Sequence, residues 1–461
     1  MKSLWEETEQ IPRRKSAEGM YERQVVVIGA GMTGILTAWQ LQRAGKQVAV
    51  LEADRIAGGQ TGRTTAKITS QHGLRYSRMS ETLGIGLARL YAEANQSAIE
   101  EYARIVSEKD IRCDFQRIPA YLYSRRDEQL LRREAEAAAG LGLPAEFVGK
   151  TELPFEAVGA VRFEGQAQFH SLKFLRILAE ELEIFENSPV KKVDGTLVCT
   201  DRAMFMAKQV IFATHYPICN VPGFYFLRQH QERSYVVALK GCRQLQGMYY
   251  GADRDGLSLR SAGDILLLGG NAHRTGKHCQ SGAYSSLKAA ACKYFPGAEV
   301  FSCWSAQDCM PHDEVPFIGR YSLTKKEWYV ATGYQKWGMT SSMIAALLLT
   351  DLITGRENPW EKLFSPQRVH PEAARANFWT DVRESAFGLW NGFFHPVEKH
   401  GEEEVWTRCT HLGCKMSWNP DEESWDCPCH GSRFSGNGKR LDEPAQKDLP
   451  DKDLGKSHID R

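Results

Sequence analysis

Short apolar runs that end at glycine-rich turns recur between residues 21 and 360. The run QVVVI at 24–28 leads into GAGMTG, and the next segment, ILTAWQLQRAG, carries apolar side chains at helical spacing. The segment KQVAVLE at 46–52 is a second strand-like run. This order predicts a strand, a tight turn, a helix and a second strand. Two further strands are predicted by KQVIFAT at 208–214 and by the start of EWYVATGYQKWGMT at 327.

Residues 234–270 have a different pattern, in which brief strand-like segments follow one another: SYVVALK, MYYGAD, LSLRSA and DILLLGG. Helical patterns lie at 87–108, 127–140, 171–186 and 282–294. We interpret these helices as packing elements rather than as sites. The expected fold class is α/β with α+β character, in which a Rossmann-like domain is combined with a second sheet.

Composition and charge narrow the class of protein. The 461-residue chain is 42% apolar, so it can bury more than one core, and two or three domains are expected. Its 58 basic and 57 acidic residues nearly cancel, which argues against a nucleic-acid partner. The sequence has no apolar run of about eighteen residues or more and no secretory signal at its start. We therefore expect a cytoplasmic protein without a transmembrane segment.

The first glycine-rich turn has the spacing of a dinucleotide-binding loop. Gly29, Gly31 and Gly34 form G-x-G-x-x-G, and Glu52 ends the second predicted strand. Glycines let the backbone approach a pyrophosphate at a helix N-terminus, and a carboxylate after the next strand accepts ribose hydroxyls. The ordered set predicts dinucleotide binding. The sequence has no second strand-associated motif of this kind, which argues against a separate NAD(P)H domain.

Two later segments favour a flavin dinucleotide. The first is a loop of glycines and hydroxyl groups suited to phosphate and ribityl contacts, with the candidates Gly62, Arg63, Thr64 and Thr65. The second is a turn from Gly333 to Gly338 that leads into a helix. The N-terminus of that helix, around Met339 and Thr340, can direct backbone N–H groups at the electron-rich edge of a reduced flavin.

Residues 21–360 resemble the D-amino-acid oxidase and glycine/sarcosine oxidase superfamily of FAD-dependent oxidoreductases. The resemblance rests on VVVIGAGMTG, Glu52, TGRTT, VIFATHYP, the DEVPFIG stretch at 313–319 and ATGYQKWGMT. It implies an FAD-binding domain interleaved with a substrate domain built on an antiparallel sheet. It also implies a substrate bound on one face of the flavin, so electrons would come from an organic molecule.

Candidate pocket residues follow from this resemblance and from charge. A carboxylate substrate needs a cation near the flavin, and we name Arg260, Tyr250 and His273 as pocket candidates. A metal site in NAHRTGKHC would use His273, His278 and Cys279, but a surface loop is the preferred interpretation. Cys309 lies where some relatives attach flavin covalently to cysteine; because the spacing matches poorly, a free thiol is preferred.

The C-terminal region holds the densest set of potential metal ligands. CTHLGC at 409–414 and CPCHGS at 427–432 together offer two thiolates and two imidazoles, from Cys409, His411, Cys427 and His430. A structural zinc site would accept the same donors. Zinc does not explain the extra cysteine that each segment carries, Cys414 in the first and Cys429 in the second.

The two segments are similar to the cluster loops of Rieske [2Fe–2S] proteins, in which two histidines replace two cysteines on one iron. The resemblance implies that Cys409 and Cys427 bind one iron and that His411 and His430 bind the other. It also implies a disulfide between Cys414 and Cys429, and a hydrogen bond from Ser432 to a cluster sulfur. Phe434 stands where high-potential members have tyrosine. We therefore predict a reduction potential below the top of the range of roughly −150 to +300 mV.

The predicted domain organisation has four parts. Residues 1–22 form an N-terminal arm, and residues 23–365 form the oxidoreductase domain, whose FAD-binding parts are about 23–80, 150–225 and 300–360. Residues 366–403 are a helical docking linker rich in aromatic side chains. Residues 404–461 are expected to form a small all-β Rieske domain, truncated relative to the Rieske proteins it resembles, because barely one strand precedes Cys409 and Glu443 replaces the usual glycine before Pro444.

The expected function is a redox relay with FAD and one [2Fe–2S] cluster. In the leading hypothesis, FAD oxidises an amine or amino-acid-like substrate and the cluster passes electrons singly to a one-electron acceptor. Two alternatives are open: a monooxygenase in which the cluster reduces the flavin, and a redox sensor or electron carrier without small-molecule turnover.

Overall fold

The computed structural model describes residues 1–277, 281–394, 397–400 and 403–450. Strands β1–β27 and helices α1–α10 are numbered along the chain. The helices are α1 (Leu4–Thr8), α2 (Met32–Arg43), α3 (Tyr76–Leu83), α4 (Ile85–Glu108), α5 (Glu128–Gly140), α6 (Ser171–Glu180), α7 (Ala283–Tyr294), α8 (Gly338–Thr354), α9 (Glu361–Phe364) and α10 (Pro371–Phe394). Within the described residues, none of these helices combines the length and apolarity needed to cross a bilayer.

A six-stranded sheet organises the nucleotide-binding region. Its spatial order is β10 (Glu183–Phe185), β3 (Val48–Leu51), β2 (Val25–Ile28), β14 (Gln209–Phe212), β21 (Trp328–Thr332) and β20 (Phe317–Arg320). All neighbours are parallel except β20 and β21. The four apolar runs predicted as strands are its four central members, and nearly all of their residues are buried.

An eight-stranded sheet forms the second layer. Its order is β19 (Glu299–Pro311), β15 (Gln229–Lys240), β18 (Ile265–Arg274), β17 (Ser258–Ala262), β16 (Met248–Gly251), β6 (Ala120–Ser124), β8 (Gly159–Phe163) and β7 (Ala145–Val148). Pairing is antiparallel except between β16 and β6. The interleaved α/β and antiparallel layers confirm the expected fold class.

Two smaller sheets complete this region. One contains β1 (Gly19–Glu22), β13 (Ala203–Met206), β12 (Leu197–Cys199) and β11 (Lys192–Asp194), and the other contains β4 (Lys67–Ile68), β9 (Ala167–Gln168) and β5 (Gln116–Arg117). The helical pattern at 171–186 was too long: α6 ends at Glu180, and residues 183–185 form β10. Pairing with β3 at the sheet edge accounts for this difference, because residues 183–185 gain ladder hydrogen bonds there.

The C-terminal unit is a small antiparallel sheet of β24 (Ser417–Asn419), β25 (Ser424–Asp426), β26 (Arg433–Ser435) and β27 (Arg440–Asp442), preceded by the hairpin β22 (Val397–His400) and β23 (Glu403–Trp406). Its buried core contains Trp425, Phe434 and the cysteines at 409, 414, 427 and 429. Such a core is too small to be stable without support.

Helix α10 provides part of that support. A Cβ on Gly388 would lie 2.5 Å from Cys429 Sγ, and one on Gly392 would lie 2.1 Å from Gly413 O, so the helix contacts the C-terminal loops through its glycines. The linker aromatics had been expected to pack in this contact. Five apolar side chains of the linker are exposed instead: Phe378, Trp379, Phe387, Leu389 and Trp390. The glycines make the contact because residues without a side chain allow the closest approach of two backbones. The four predicted domain boundaries stay predictions.

Candidate functional site

The turn between β2 and α2 forms a backbone cradle. Gly29 has φ +104°, and a Cβ there would lie 2.5 Å from Ala213 O. A Cβ on Gly34 would lie 1.8 Å from Gly29 O. The N-terminus of α2 has Gly31 as its N-cap without a side-chain cap from that residue; Met32 N donates to Thr61 Oγ1 at 2.9 Å, and the other N–H groups of the first turn can face a phosphate. This geometry fits the pyrophosphate of a dinucleotide.

Glu52 lies at the same edge of the sheet. Its carboxylate accepts hydrogen bonds from Ala30 N at 2.8 Å and from Asp54 N at 3.0 Å. Burial raises the pKa of Glu52, and the two backbone donors oppose that effect. The carboxylate is therefore held at the glycine loop, and its contact with a ribose stays a prediction.

Three buried donors fix the second loop, residues 62–66. Trp5 Nε1 of the N-terminal arm donates to Thr64 O at 2.6 Å, and Trp304 Nε1 donates to Arg63 O at 2.8 Å. Arg260 Nη1 donates to Thr65 O at 2.8 Å and to Ala66 O at 2.7 Å. The sequence analysis did not assign the N-terminal arm to a site, because Trp5 and Thr64 are far apart along the chain.

A cavity of about 410 Å³ lies beside this loop. Several predicted cofactor contacts line it, namely Arg63, Thr64, Thr65, Gly338 and Met339. The first turn of α8 has no side-chain cap and opens onto it, whereas Thr340 is buried behind and lies against His72. The cavity therefore adjoins the predicted flavin contacts and has the volume of a small-ligand pocket.

The two C-terminal loops bring the predicted ligand set together. The thiols of Cys409 and Cys427 interact directly, which lowers the pKa of Cys409, and the rings of His411 and His430 lie 4.9 Å apart between centroids. His411 Nε2 donates to Asn220 Oδ1 at 3.0 Å. This tautomer leaves the Nδ1 lone pair free.

The Nδ1 atoms of the two histidines show whether the site fits a metal centre. Among the described residues, the buried Nδ1 atoms of His411 and His430 have no hydrogen-bond partner. A buried imidazole nitrogen without a partner is costly, and a metal ion relieves that cost. Two thiols and two free Nδ1 atoms match the donor set of a Rieske cluster.

The neighbouring residues agree with the resemblance. Cys414 and Cys429 form a disulfide that joins the two loops. Ser432 Oγ accepts a hydrogen bond from Ala445 N at 3.0 Å, and the Ser432 hydroxyl also lowers the pKa of the Cys409 thiol. The hydroxyl therefore lies beside a candidate ligand sulfur.

Comparisons with known proteins decide the family. The model of the family described as "FAD dependent oxidoreductase" matches residues 24–352, which is most of the chain. This chain belongs to the FAD dependent oxidoreductase family. The model described as "Rieske [2Fe-2S] domain" matches residues 399–452. The oxidoreductase therefore carries FAD and one [2Fe–2S] cluster, and the zinc alternative is wrong.

Relatives agree with both assignments. A protein of Bacillus subtilis (strain 168) named as a Rieske 2Fe-2S iron-sulfur protein, YhfW, is 33% identical and covers 98% of this chain and 97% of its own. The cytochrome b6-f complex iron-sulfur subunit of Synechococcus sp. (strain JA-3-3Ab) is 51% identical over 41 residues, which is 9% of this chain and 24% of that subunit. The second similarity is confined to the Rieske domain.

Solved structures share the fold of the oxidoreductase domain. Glycine oxidase from Geobacillus kaustophilus has a TM-score of 0.64 at 17% identity, covering 76% of this chain and 99% of its own. L-Proline dehydrogenase from P. horikoshii has a TM-score of 0.62 at 17% identity, covering 76% and 98%. At this identity the likeness concerns the fold alone.

Of the three residues predicted for the substrate pocket of this FAD dependent oxidoreductase, one lines the cavity and two do not. Tyr250 lines the cavity. Arg260 is buried and holds the 62–66 loop, so its guanidinium does not face the cavity. His273 contacts Tyr235 Oη and Arg274 O, also outside the cavity lining. Cys309 is a buried free thiol, 3.4 Å from His215 Nε2. His278 and Cys279 lie outside the described residues.

Sequence reasoning missed several charged residues of the cavity, including Lys67, Asp308 and Lys336. Lys67 and Asp308 lie in strands without a recognisable motif, and Lys336 lies inside the quoted segment ATGYQKWGMT. Burial lowers the pKa of Lys67 to about 7, and the nearby charge of Arg260 acts in the same direction. Burial would lower the pKa of Lys336, but the negative charges around it, including those of Glu232 and Asp308, raise it overall.

The disulfide is expected to contribute substantially to the stability of the Rieske domain. The bonded cysteines are 15 residues apart, and a loop of that length is worth about 3 kcal/mol at 25 °C. The double variant Cys414→Ala/Cys429→Ala should therefore unfold this domain at lower denaturant, measured by loss of the cluster absorption band. Cys292→Ala, at an exposed free cysteine, is the control. An unchanged midpoint would contradict the prediction.

Proposed function

We propose that the protein oxidises an amine or amino-acid-like substrate in the cavity and passes the electrons singly through the Rieske cluster to a one-electron acceptor. We further propose Cys409, His411, Cys427 and His430 as the cluster ligands. When bound, FAD supplies two-electron chemistry and the cluster supplies one-electron chemistry. The observation that carries the proposal is that the two histidines face the oxidoreductase domain.

The histidine contact is specific. Besides the 3.0 Å hydrogen bond from His411 to Asn220, the ring of Phe226 packs edge-on against both histidines, with centroid distances of 5.9 Å to His411 and 5.7 Å to His430. Asn220 and Phe226 belong to the segment that follows β14 of the nucleotide-binding sheet. The same segment therefore connects the FAD-binding layer with the cluster loops.

Backbone contacts hold the second cluster loop on the large sheet. Gln231 Nε2 donates to His430 O at 2.8 Å, and Gln307 Nε2 donates to Gly431 O at 2.8 Å. A Cβ on Gly431 would lie 2.5 Å from Gln231 Cβ, so the two surfaces are in direct contact. Arg274 donates to Pro428 O at 2.7 Å and, through Nη2, to Cys429 O at 2.9 Å.

Charged groups extend the contact beyond the loops. Arg233 is fully buried and donates from Nη2 to Glu422 Oε2 at 2.8 Å, and Tyr284 Oη donates to Glu422 Oε1 at 2.7 Å. Asp421 accepts hydrogen bonds from Ala283 N at 2.9 Å and Gly282 N at 3.0 Å at the start of α7. Buried, paired charges of this kind favour one docked arrangement of the two domains.

The large sheet has the cluster on one face and the cavity on the other. Side chains of β15 and β19 alternate in direction. Gln231, Arg233, Ser305 and Gln307 contact the Rieske domain. Ser234, Val236, Ala306 and Asp308 line the cavity. A single layer of backbone therefore separates substrate space from the domain that holds the cluster, which supports a relay within one chain.

The chemistry of the cavity supports a small charged substrate. Lys336 provides a partly buried cation, paired with Glu232 at 3.3 Å, and it can also receive a substrate carboxylate. Tyr250 and Trp337 provide an aromatic wall, with ring centroids 5.2 Å apart. Apolar walls with a few polar groups are typical of ligand pockets.

The test is an anaerobic titration of the purified protein with a panel of amines and amino acids. Visible absorption follows the flavin, and electron paramagnetic resonance follows the cluster. We expect one substrate class to bleach the flavin and then produce the reduced-cluster signal. If dithionite reduces both centres and no panel member does, the oxidase-type assignment fails and the sensor or carrier alternative gains support.

Asn220 provides a test of the domain contact. In Asn220→Leu the partly buried His411 N–H loses its acceptor, which costs about 1 kcal/mol and weakens docking of the histidines. We expect cluster reduction after flavin reduction to slow by about tenfold, with a changed cluster potential, measured by stopped-flow absorption and a redox titration. Asn437→Leu, on an exposed turn of the same domain, is the control. Equal rates in both variants would contradict the role of Asn220.

A further inference from the structure

The cavity contains a carboxylate that is not directly paired with any described residue. Asp308, on β19, lines the cavity next to Ala306. Among the described residues it has no hydrogen-bond or ion-pair partner, although it lies within the electrostatic reach of Lys336, Glu232 and Arg233. Asp253, the other carboxylate in the lining, is already bonded to Ser124 Oγ and Arg125 N.

Three cations of this region are bonded to groups other than Asp308. Lys336 pairs with Glu232, which is the residue opposite Asp308 in the β15–β19 register. Arg233 points to the other face of the sheet and pairs with Glu422. Lys67 donates to Ser258 Oγ and to Tyr249 O. None of these three cations therefore forms a hydrogen bond or an ion pair with Asp308.

An unpaired carboxylate in a buried site is unstable as an anion. Burial raises the pKa of Asp308 to about 7, Glu232 acts in the same direction, and Lys336 and Arg233 oppose the shift. A cation in the cavity would restore the charged form and gain a charge-assisted hydrogen bond. The position of the carboxylate thus matches a ligand with a protonated nitrogen.

We propose that Asp308 binds a protonated nitrogen of the substrate, so that the cavity selects ammonium-bearing molecules. The inference rests on the proposed function for the identity of the site and deepens it by naming the recognised group. Substrates therefore enter as ammonium ions, and a carboxylate on the same molecule would be directed to Lys336 on the neighbouring part of the wall.

The test measures binding rather than turnover. The FAD-loaded protein is titrated with n-butylamine at a pH where it is protonated, with butyrate, and with n-butanol as a neutral probe. The dissociation constant is obtained from the perturbation of the flavin absorption spectrum. We expect the wild type to bind butylammonium at least about tenfold more tightly than butanol, because only the cation can pair with Asp308.

Variants assign this preference to Asp308. Asp308→Asn should weaken butylammonium binding by about tenfold or more and leave butanol binding unchanged, and Asp308→Glu should restore part of the affinity. Lys336→Met removes a cation that repels butylammonium, so it should strengthen butylammonium binding. This variant provides a second test if Asp308→Asn does not retain FAD. Unchanged butylammonium affinity in Asp308→Asn, or weaker binding in Lys336→Met, would overturn the inference.

The outcomes separate the inference from the proposed function. If butylammonium binding depends on Asp308 but no amine bleaches the flavin, amine oxidation fails and the binding role stands. If amines bleach the flavin while Asp308→Asn binds butylammonium as the wild type does, the binding role fails and amine oxidation stands.

Discussion

Replacing Gly34 by alanine is expected to yield a folded protein that no longer retains FAD. A Cβ at this position would lie 1.8 Å from Gly29 O, so the turn between β2 and α2 must move. That turn holds the uncapped N–H groups that fit the pyrophosphate. We expect FAD retention to fall by more than about tenfold, which corresponds to at least about 1.4 kcal/mol. Flavin absorbance per protein measures the effect.

The matched control is Gly86→Ala. Gly86 lies in the first turn of α4, and a Cβ there meets no atom within 4 Å. Alanine should be tolerated at this position because helix propensity favours it over glycine. The Rieske cluster gives an internal reference, since its absorbance should persist in both variants. Normal FAD content in Gly34→Ala would contradict the assignment of the loop.

Replacing Cys427 by serine should remove the cluster and leave the flavin. Soft thiolate ligands hold Fe–S clusters, and a serine hydroxyl at this position is a poor substitute. Iron and sulfide content should fall close to zero, and the reduced-cluster resonance signal should disappear. The flavin should still be bleached by the active substrate, whereas transfer to a one-electron acceptor should fall by about 100-fold or more, because the proposed one-electron exit is lost.

Cys292→Ser is the control for this experiment. Cys292 is an exposed free thiol on α7, far in sequence from both cluster loops. It should keep iron, sulfide and electron transfer at wild-type levels. If Cys427→Ser lacks the cluster and still transfers electrons at the wild-type rate, electrons leave the flavin by another route. That result would contradict the relay.

Several features of the site were predictable because they depend on short stretches of chain. The turn after β2 needs glycines at fixed spacing, so Gly29 and Gly34 could be located from the sequence alone. CTHLGC and CPCHGS each place a cysteine and a histidine on one loop, and the resemblance to Rieske proteins implied the disulfide between the further cysteine of each segment. Local spacing determines local geometry, and the families could be recognised from it.

Other features depend on contacts between distant residues. Arg260 was expected in the substrate pocket on the basis of charge, but its guanidinium holds Thr65 O and Ala66 O. Asp308 belongs to an ordinary strand, and only the direction of its side chain into the cavity distinguishes it. The linker was expected to dock, and the sequence did not show that its aromatic side chains stay exposed while Gly388 and Gly392 make the contact.

The sequence by itself determined the two cofactor-binding motifs, the fold class and the ligand set that we propose for the cluster. Only the tertiary structure decided that the Rieske histidines pack against Asn220 and Phe226, and that the cavity and the cluster loops lie on opposite faces of one sheet. Motifs are specified by neighbours along the chain. Domain docking is specified by complementary surfaces whose residues are separated by about two hundred positions, as Gln231 and His430 are, and their sequence carries no periodic signal.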